Sequence, residues 1–329
     1  MTQENLTIST GPLCVIFGVN GQDGGYLAEH LLGRGYSVVG VGRQVNCKWE
    51  IQPKNFTYCR LDLADVKLVV KFLKMKQPSI IFYVAAVHGA SGFLYEDHWI
   101  EANCVNTLSL HACLEYLRKN LPTGKLIFFS SSKAFGSNLP EVITEETKRI
   151  STCIYSITKN SATDLIIYYQ SRHNINANVI WTFNHESPRR SSDYFIPKLV
   201  HILANAILDR QYVGEIGTLS FWCDWGSSHE YMEIAVDIME TSARNNFVLA
   251  TGETRWAKDF VIALFLRYGL QASNHIIEKE KLEGKKSPYW NVDTSYLEEI
   301  IGKKPIHTIY EVCDDILRIN YPSAWAKCD

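Results

Sequence analysis

The chain has 329 residues, a length that suits one large α/β domain or two interlocked domains. Apolar residues make up 46 % and charged residues 21 %, an ordinary globular composition that excludes a disordered chain. The formal net charge of −2 gives no bulk attraction to nucleic acid or to an anionic membrane, so we expect neither as a partner.

The cysteines indicate a reducing compartment. There are nine, scattered along the chain without a CxxC pair, and the odd number predicts free thiols, several of them buried. No charged-then-apolar leader opens the chain, and no run of about 18 apolar residues occurs. We therefore expect a cytoplasmic protein, and we expect no metal site.

Short apolar runs alternate with helix-length segments along the first half of the chain. The run at 13–17, bounded by glycine, is typical of a buried parallel strand. Further strands are predicted at 37–41, 56–61, 80–84, 126–129 and 177–181. Helices are predicted at 26–34, 66–76, 98–118 and 155–172. This alternation with short connections predicts an α/β fold with a Rossmann-type doubly wound parallel sheet.

The pattern loosens after about residue 183. Helices are predicted at 194–209 and 255–266, and one more strand at 246–250. No Gly/Ser/Pro-rich linker separates the halves. We therefore predict a Rossmann domain over residues 1–183, interlocked with a smaller α/β part over residues 184–329.

Three glycines join the first predicted strand to the first predicted helix. Gly18 permits a tight turn, Gly21 lets backbone amides approach a pyrophosphate, and Gly24 allows close helix–strand packing. The same triplet can form a simple strand–helix turn. Its place at the first βα junction favours a dinucleotide site.

The residues after the second and third strands bear on which dinucleotide binds. An NAD site usually carries an acidic residue at the end of the second strand. Here Arg43 follows, and its guanidinium suits a 2′-phosphate, so NADP is favoured and NAD stays possible. Asp62 can accept a hydrogen bond from the adenine amino group, or it can belong to a helix N-cap near Asp65.

Hydroxyl and amine groups point to redox chemistry on an alcohol. The strand at 126–129 runs into serines, including Ser131, at the sheet edge where ligands of open α/β sheets bind. Tyr155 and Lys159, four residues apart, share one helix face. We expect the ammonium to lower the pKa of the phenol from about 10. The tyrosine can then take a proton from a sugar hydroxyl while hydride leaves the same carbon for a nicotinamide. An exposed helix face is the alternative interpretation.

These motifs resemble the extended short-chain dehydrogenase/reductase family and, within it, the GDP-mannose 4,6-dehydratases. The resemblance is carried by GVNGQDGGYLAEHLLGRGYSVVGVGR at 18–43, FNHESPRR at 183–190, CDWGSSHEYM at 223–232 and LATGET at 249–254. It implies oxidation at C4 of the sugar, loss of water across C5 and C6, and return of the hydride to C6. It also implies NADP, a GDP-sugar substrate bound by residues 184–329, and a homodimer or homotetramer.

The resemblance also implies site residues. Those assigned to the cofactor are Gly18, Gly21, Gln22, Asp23, Gly24, Arg43, Asp62, Leu63, Ala85, Ala86, Tyr155, Lys159, His185 and Arg190. Tyr155 would be the base for C4 oxidation, assisted by Lys159, while Ser131 polarises O4. Those assigned to the substrate are His88, Ser131, Ser132, Asn184 and Lys198.

One departure from the family pattern affects a residue that takes part in the reaction. Where the family reads Thr-Ser-Glu, this chain reads Ser131, Ser132 and Lys133. The family's Glu removes the C5 proton and protonates the departing C6 oxygen. We expect a desolvated Lys133 with a lowered pKa to take that catalytic role. Alternatively, Lys133 points to solvent and elimination is lost.

Three smaller departures leave alternatives open. Gln44 stands where the family has a second Arg, and Cys223 stands where it has another. His88 lies in a segment that departs from the family's Gln-Ser-His pattern, so the sugar need not be mannose, and this histidine is either a substrate contact or a core or loop residue. The main hypothesis is a dehydratase. A C4 epimerase or 4-ketoreductase, and a relative that binds cofactor without turnover, are the alternatives.

Overall fold

A computed structural model describes residues 11–51, 54–90, 92–279 and 288–328. The strands are β1 (Leu13–Phe17), β2 (Ser37–Gly42), β3 (Phe56–Arg60), β4 (Ile80–Tyr83), β5 (Lys125–Ser131), β6 (Val142–Ile143), β7 (Asn176–Thr182), β8 (Asn184–Glu186), β9 (Gly214–Ile216), β10 (Trp222–Ser227), β11 (Phe247–Leu249), β12 (Thr254–Trp256), β13 (Ile276–Glu278) and β14 (Asn291–Val292). The helices are α1 (Gln22–Gly33), α2 (Val66–Lys76), α3 (Trp99–Asn103), α4 (Ser109–Asn120), α5 (Ile154–His173), α6 (Phe195–Leu208), α7 (Ser228–Glu240), α8 (Ala257–Arg267), α9 (Ser295–Ile301), α10 (Ile309–Asn320) and α11 (Pro322–Trp325).

A seven-stranded parallel sheet in the order β11-β7-β5-β4-β1-β2-β3 forms the centre of the molecule. Its middle strands are fully apolar runs, because helices cover both faces: α1 and α7 on one side, and α2, α4 and α5 on the other. The strand order reverses between β1 and β4. This is the position at which open α/β sheets bind ligands beyond the carboxyl ends of their strands. The predicted doubly wound α/β fold is confirmed.

The second half of the chain both completes this sheet and builds a core of its own. Strand β11 pairs with β7 at the sheet edge, and α7 packs on α1. Helices α6, α8 and α10 enclose a separate apolar core against β10. The division at residues 183 and 184 stays a prediction, and the return of α7 and β11 to the sheet ties the two parts together.

Two further expectations from the sequence, on the cysteines and on membrane-spanning helices, can be compared with the structure. Cys14, Cys113, Cys223 and Cys313 are buried thiols outside any disulfide, as predicted for several of the cysteines. Across the ranges that the structure describes, no helix combines the length and the apolar character needed to cross a membrane.

Candidate active site

The glycine loop between β1 and α1 is shaped by close backbone contacts. Gly18 has a φ of 100°, and a Cβ added there would lie 2.8 Å from the backbone nitrogen of Ala85. A Cβ at Gly24 would lie 2.4 Å from the carbonyl oxygen of Gly18. Gly21 precedes α1 without any side-chain cap, so the first amides of the helix are available to an anion. The loop therefore fits a dinucleotide pyrophosphate.

The two residues after Gly21 bind the C-terminal half of the chain. Gln22 donates from Nε2 to the carbonyl of His185 over 3.0 Å and accepts from the Ser187 hydroxyl over 2.9 Å. Asp23 accepts from Nε2 of His185 over 3.1 Å and from the Ser228 hydroxyl over 2.8 Å. These contacts hold β8 and the start of α7 against the glycine loop.

Asp23 and His185 form an ion pair. Burial raises the pKa of Asp23, but His185, Arg190 and the Ser228 hydroxyl outweigh it and bring that pKa to about 2. Burial lowers the pKa of His185, yet the Asp23 carboxylate more than compensates, so the imidazole pKa is raised. His185 favours its protonated form and the Asp23 carboxylate balances that charge, so the pair is a link without net charge between the loop and β8.

The predicted adenosine-side residues lie at the ends of β2 and β3. The Arg43 side chain is 73 % exposed and its Nη1 lies 2.9 Å from Oε1 of Glu101. Asp62 accepts a hydrogen bond from the backbone amide two residues on, while the cap of α2 is Asp65. The capping role thus belongs to Asp65. Leu63 is buried in the core, so only its backbone can face a ligand.

Ser131, Tyr155 and Lys159 come together at the carboxyl end of β5. The Ser131 side chain lies close enough to Tyr155 to lower the pKa of the phenol. Lys159 donates from Nζ to the carbonyl of Phe129 over 2.6 Å, and the same Nζ lies 5.9 Å from the centroid of the Tyr155 ring. Helix α5 presents both side chains on one face, as their spacing predicts.

The protonation of this group differs from the sequence expectation. We expected the ammonium to lower the pKa of Tyr155; instead burial raises that pKa, and the nearby Ser131 side chain only partly opposes the rise. Burial also lowers the pKa of Lys159 to about 7, against a smaller opposing effect of Asp23. The expectation was wrong because desolvation of the enclosed phenol outweighs the effects of Ser131 and Arg190, which lower its pKa.

The loop after β4 places His88 over Tyr155. The two rings meet edge to face with centroids 4.7 Å apart, and Nδ1 of His88 lies 3.1 Å from the hydroxyl of Tyr194. The Arg190 guanidinium stacks 3.6 Å from the centroid of the Tyr194 ring. Enclosure by the cleft walls, followed by the charges of Arg190 and Lys159, lowers the pKa of His88 to about 4. One side of the imidazole stays accessible to solvent. Sequence reasoning placed Tyr194 at the start of the predicted helix 194–209 but did not select it as a site residue, because no motif marks it.

Ala85 and Ala86 lie in the same loop, directly after β4, and both are half-buried. The backbone of Ala85 faces the glycine loop, where its nitrogen limits the side chain at position 18. The structure thus brings the loop after β4 to the predicted cofactor position.

Lys133 is exposed, which corrects the expectation of a desolvated lysine. The turn after β5 directs Ala134 and Phe135 into the core and leaves Lys133 on the solvent side. Its backbone amide donates to Oγ of Ser131 over 3.2 Å, and its charge acts on His88, so it lies at the rim of the same cleft. Ser132 beside it is half-buried.

A solvent-accessible cavity of about 720 Å³ adjoins the segments that carry His88 and Tyr194. Its lining residues are Ala90, Gly92, Phe93, Ser192, Asp193, Lys198 and His201. Lys198 is exposed in this wall, and Asn184 is exposed at the start of β8. The cavity is large enough for a nucleotide. Lys198, the side chain predicted to meet the diphosphate, lies in its wall.

Glu186 is a further acidic residue under the cleft that sequence reasoning did not select. It is buried, and its Oε2 lies 3.6 Å from Nε of Arg190. Burial raises its pKa to about 7, although Arg190 and His185 oppose the rise. Glu186 thus lies next to the arginine that stacks on Tyr194.

A protein-family model, GDP-mannose 4,6 dehydratase, matches residues 15–301. The chain belongs to this family, whose members are hydro-lyases of the extended short-chain dehydrogenase/reductase type. The family and enzyme class predicted from the sequence motifs are therefore confirmed. GDP-mannose 4,6 dehydratase from Drosophila melanogaster is 28 % identical over 272 residues, covering 78 % of this chain and 68 % of that protein. GDP-mannose 4,6 dehydratase 1 from Arabidopsis thaliana is 27 % identical over 311 residues, covering 89 % of this chain and 85 % of that protein.

Solved structures with the same fold are more distant in sequence. UDP-glucose 4-epimerase from Thermotoga maritima, with UDP-glucose, superposes with a TM-score of 0.78 at 18 % identity, covering 94 % of this chain and 98 % of that one. The dTDP-glucose 4,6-dehydratase from Bacillus anthracis, in complex with NAD, gives a TM-score of 0.78 at 16 % identity, covering 97 % of this chain and 100 % of that one. These similarities establish the fold, while the family assignment rests on the sequence match.

Proposed function

We propose that this chain is an NADP-dependent sugar-nucleotide 4,6-dehydratase that acts on a GDP-hexose. The observation that carries the proposal is the grouping of the half-buried Ser131 with the buried Tyr155 and Lys159 at the carboxyl end of β5. Membership of the GDP-mannose 4,6-dehydratase family supports the reaction class and the GDP-sugar.

The cofactor would lie along the carboxyl edge of the sheet. The amides that follow Gly21 would hold the pyrophosphate, and Arg43 would bind a 2′-phosphate once its exposed ion pair with Glu101 opens. Asp62 and the loop at Ala85 would border the adenosine and the nicotinamide. When bound, the nicotinamide accepts hydride from C4 of the sugar and later returns it to C6.

The oxidation step uses residues of β5 and α5. Ser131 and Tyr155 would contact O4 of the sugar together, since Ser131 ends β5 beside the Tyr155 side chain. Tyr155, in its phenolate form, would take the proton of the O4 hydroxyl as hydride leaves C4, and the ammonium form of Lys159 would stabilise that phenolate. Burial of both side chains excludes water from this transfer.

The substrate would extend from this group into the cavity beyond Tyr194. Lys198 would meet the diphosphate, with Asn184 beside the sugar nucleotide. Residues 184–329 are in this account the nucleotide-sugar part. A cytoplasmic location and a homodimer or homotetramer belong to the same proposal, and both rest on sequence features alone.

The proposal is tested by incubating the purified protein with NADP or NAD and GDP-, UDP-, CDP- and dTDP-hexoses in deuterated water. We expect loss of one water and one solvent deuterium at C5, fastest with NADP and a GDP-hexose. An isomer of unchanged mass would instead indicate an epimerase. A product two hydrogens heavier from a 4-keto substrate would indicate a reductase, and failure to convert any sugar would contradict enzymatic turnover.

A further inference from the structure

We propose that His88, oriented by Tyr194, is the acid–base residue of the elimination step: its Nε2 takes the C5 proton and returns it to the departing C6 oxygen. The inference rests on the proposed dehydratase function and assigns a residue to the one step that Ser131, Tyr155 and Lys159 do not perform.

The first argument is position. Tyr155 acts on the oxygen of C4, and C5 is the neighbouring carbon of the same ring. A base for C5 must therefore lie directly beside the Tyr155 side chain. His88 packs against that ring with centroids 4.7 Å apart, and the residue is exposed. It thus has the required proximity and accessibility.

The second argument is that the other candidate groups of the described cleft are engaged or unsuited. The Asp23 carboxylate is paired with His185 and accepts from Ser228. Glu186 is only 4 % exposed and lies beneath the cleft next to Arg190. Lys133 is exposed at the rim of the cleft, whereas His88 packs directly on the Tyr155 ring.

The third argument is the hydrogen bond between Nδ1 of His88 and the Tyr194 hydroxyl, which orients the imidazole. When Nδ1–H donates to the Tyr194 oxygen 3.1 Å away, Nε2 carries the lone pair. The Arg190 guanidinium stacked on Tyr194 fixes the orientation of that phenol. Tyr194 is therefore a positioning residue for His88.

The proton affinity of His88 agrees with this role. Its pKa of about 4 leaves the ring unprotonated at neutral pH and gives it the basicity of an ordinary carboxylate, whose pKa is also about 4. Carboxylates serve widely as general bases and, once protonated, as general acids. The nearby charges of Arg190, Lys159 and Lys133 make the imidazolium a strong donor toward the leaving oxygen.

The step balances without an added reactant. The C5–H bond breaks, its proton passes to Nε2, and its electron pair enters the enolate of the C4 ketone. The enolate then re-forms the ketone as the C5–C6 double bond forms and the C6–O bond breaks. The imidazolium proton goes to that oxygen, which leaves as water.

The test compares His88→Gln with the wild-type holoenzyme, using GDP-mannose or whichever GDP-hexose the wild type converts, in deuterated water. We expect His88→Gln to bind NADPH normally and still reduce the cofactor by oxidising C4. Deuterium incorporation at C5 and water loss should fall by about 10²-fold or more. Added imidazole should restore C5 exchange in His88→Ala, and Tyr194→Phe should show a smaller loss of exchange.

Two controls make the result specific. His173→Gln changes an exposed histidine at the far end of α5 and should leave C5 exchange at the wild-type rate. Lys133→Met should lose less exchange than His88→Gln; the reverse order would overturn the inference and make Lys133 the base.

Loss of C4 oxidation in His88→Gln would also overturn the inference, because His88 would then only bind substrate. A wild-type enzyme that neither exchanges C5 nor releases water would instead refute the proposed function itself.

Discussion

At the scale of single residues, the sequence predicts which side chains meet but not how they are charged. The four-residue spacing of Tyr155 and Lys159 places them on one face of α5, and Ser131 ends the neighbouring strand. Their protonation depends on enclosure by elements far away in the chain, which no local pattern reports. Burial therefore leaves Lys159 with a pKa of about 7, where sequence reasoning assumed an ordinary ammonium.

Replacing Tyr155 by Phe tests the role of this group. The change removes the hydroxyl that contacts Ser131 and leaves the packing of the ring, so we expect turnover to fall by about 10²–10⁴-fold with the affinity for NADPH preserved. Turnover and calorimetric NADPH binding are the measurements. Tyr168→Phe, an exposed tyrosine on the same helix, is the matched control. Turnover of Tyr155→Phe within tenfold of wild type would contradict the assignment.

At the scale of elements, the sequence analysis found the strands and helices whose ends are marked by clear changes of composition. It missed helices in the second half of the chain. The bounds of β1 and α2 agree with their predicted ranges, because both begin and end at clear composition changes. Helix α7 was missed, although its acidic residues recur at helical spacing, at 230, 233, 237 and 240, opposite the seven buried residues from Tyr231 to Met239. Helix α10 was also missed, although the capping box of Thr308 and Glu311 was a readable signal.

The C-terminus of α7 supplies a prediction about stability. Lys125 on β5 is 6 % exposed and donates from Nζ to the carbonyls of Ile238, Met239 and Thr241 over 2.8–3.1 Å. Lys125→Met would leave these acceptors without their donor, so we expect the free energy of unfolding in urea to fall by about 1–3 kcal/mol. Lys74→Met, on the exposed side of α2, should leave it unchanged within about 0.5 kcal/mol. Equal stability of the two variants would contradict this account.

At the scale of the whole molecule, the glycine loop serves two purposes. Its amides face the cofactor position, while Gln22 and Asp23 hold the C-terminal half. The motifs GQDG and NHESPRR, which lie far apart in the sequence, meet here. Sequence reasoning assigned both to the cofactor. It could not show that Asp23 and His185 contact each other, because that contact joins residues separated by more than 160 positions.

The Asp23–His185 pair predicts a pH dependence of stability. Because the pKa of His185 is raised in the folded state, its contribution is fully present below the unfolded value of about 6.5 and is lost as pH rises through the folded value. The difference in unfolding free energy between wild type and Asp23→Asn should therefore shrink from about pH 6 to about pH 9. Urea unfolding at both pH values measures it. Asp164→Asn, in an exposed ion pair with Arg149, is the control. A difference in unfolding free energy between wild type and Asp23→Asn that grows with pH would contradict the pairing.

The path of the hydride tests the central claim most directly. Purified enzyme with bound NADP would be given a GDP-hexose deuterated at C4 in ordinary water, and the product would be analysed by mass spectrometry and NMR. A dehydratase that keeps its cofactor in place must deliver this deuterium to C6 and take the hydrogen at C5 from water. We predict a 4-keto product that carries the label at C6. Recovery of the label at C4 with unchanged sugar mass, or its loss to free NADPH, would contradict the account.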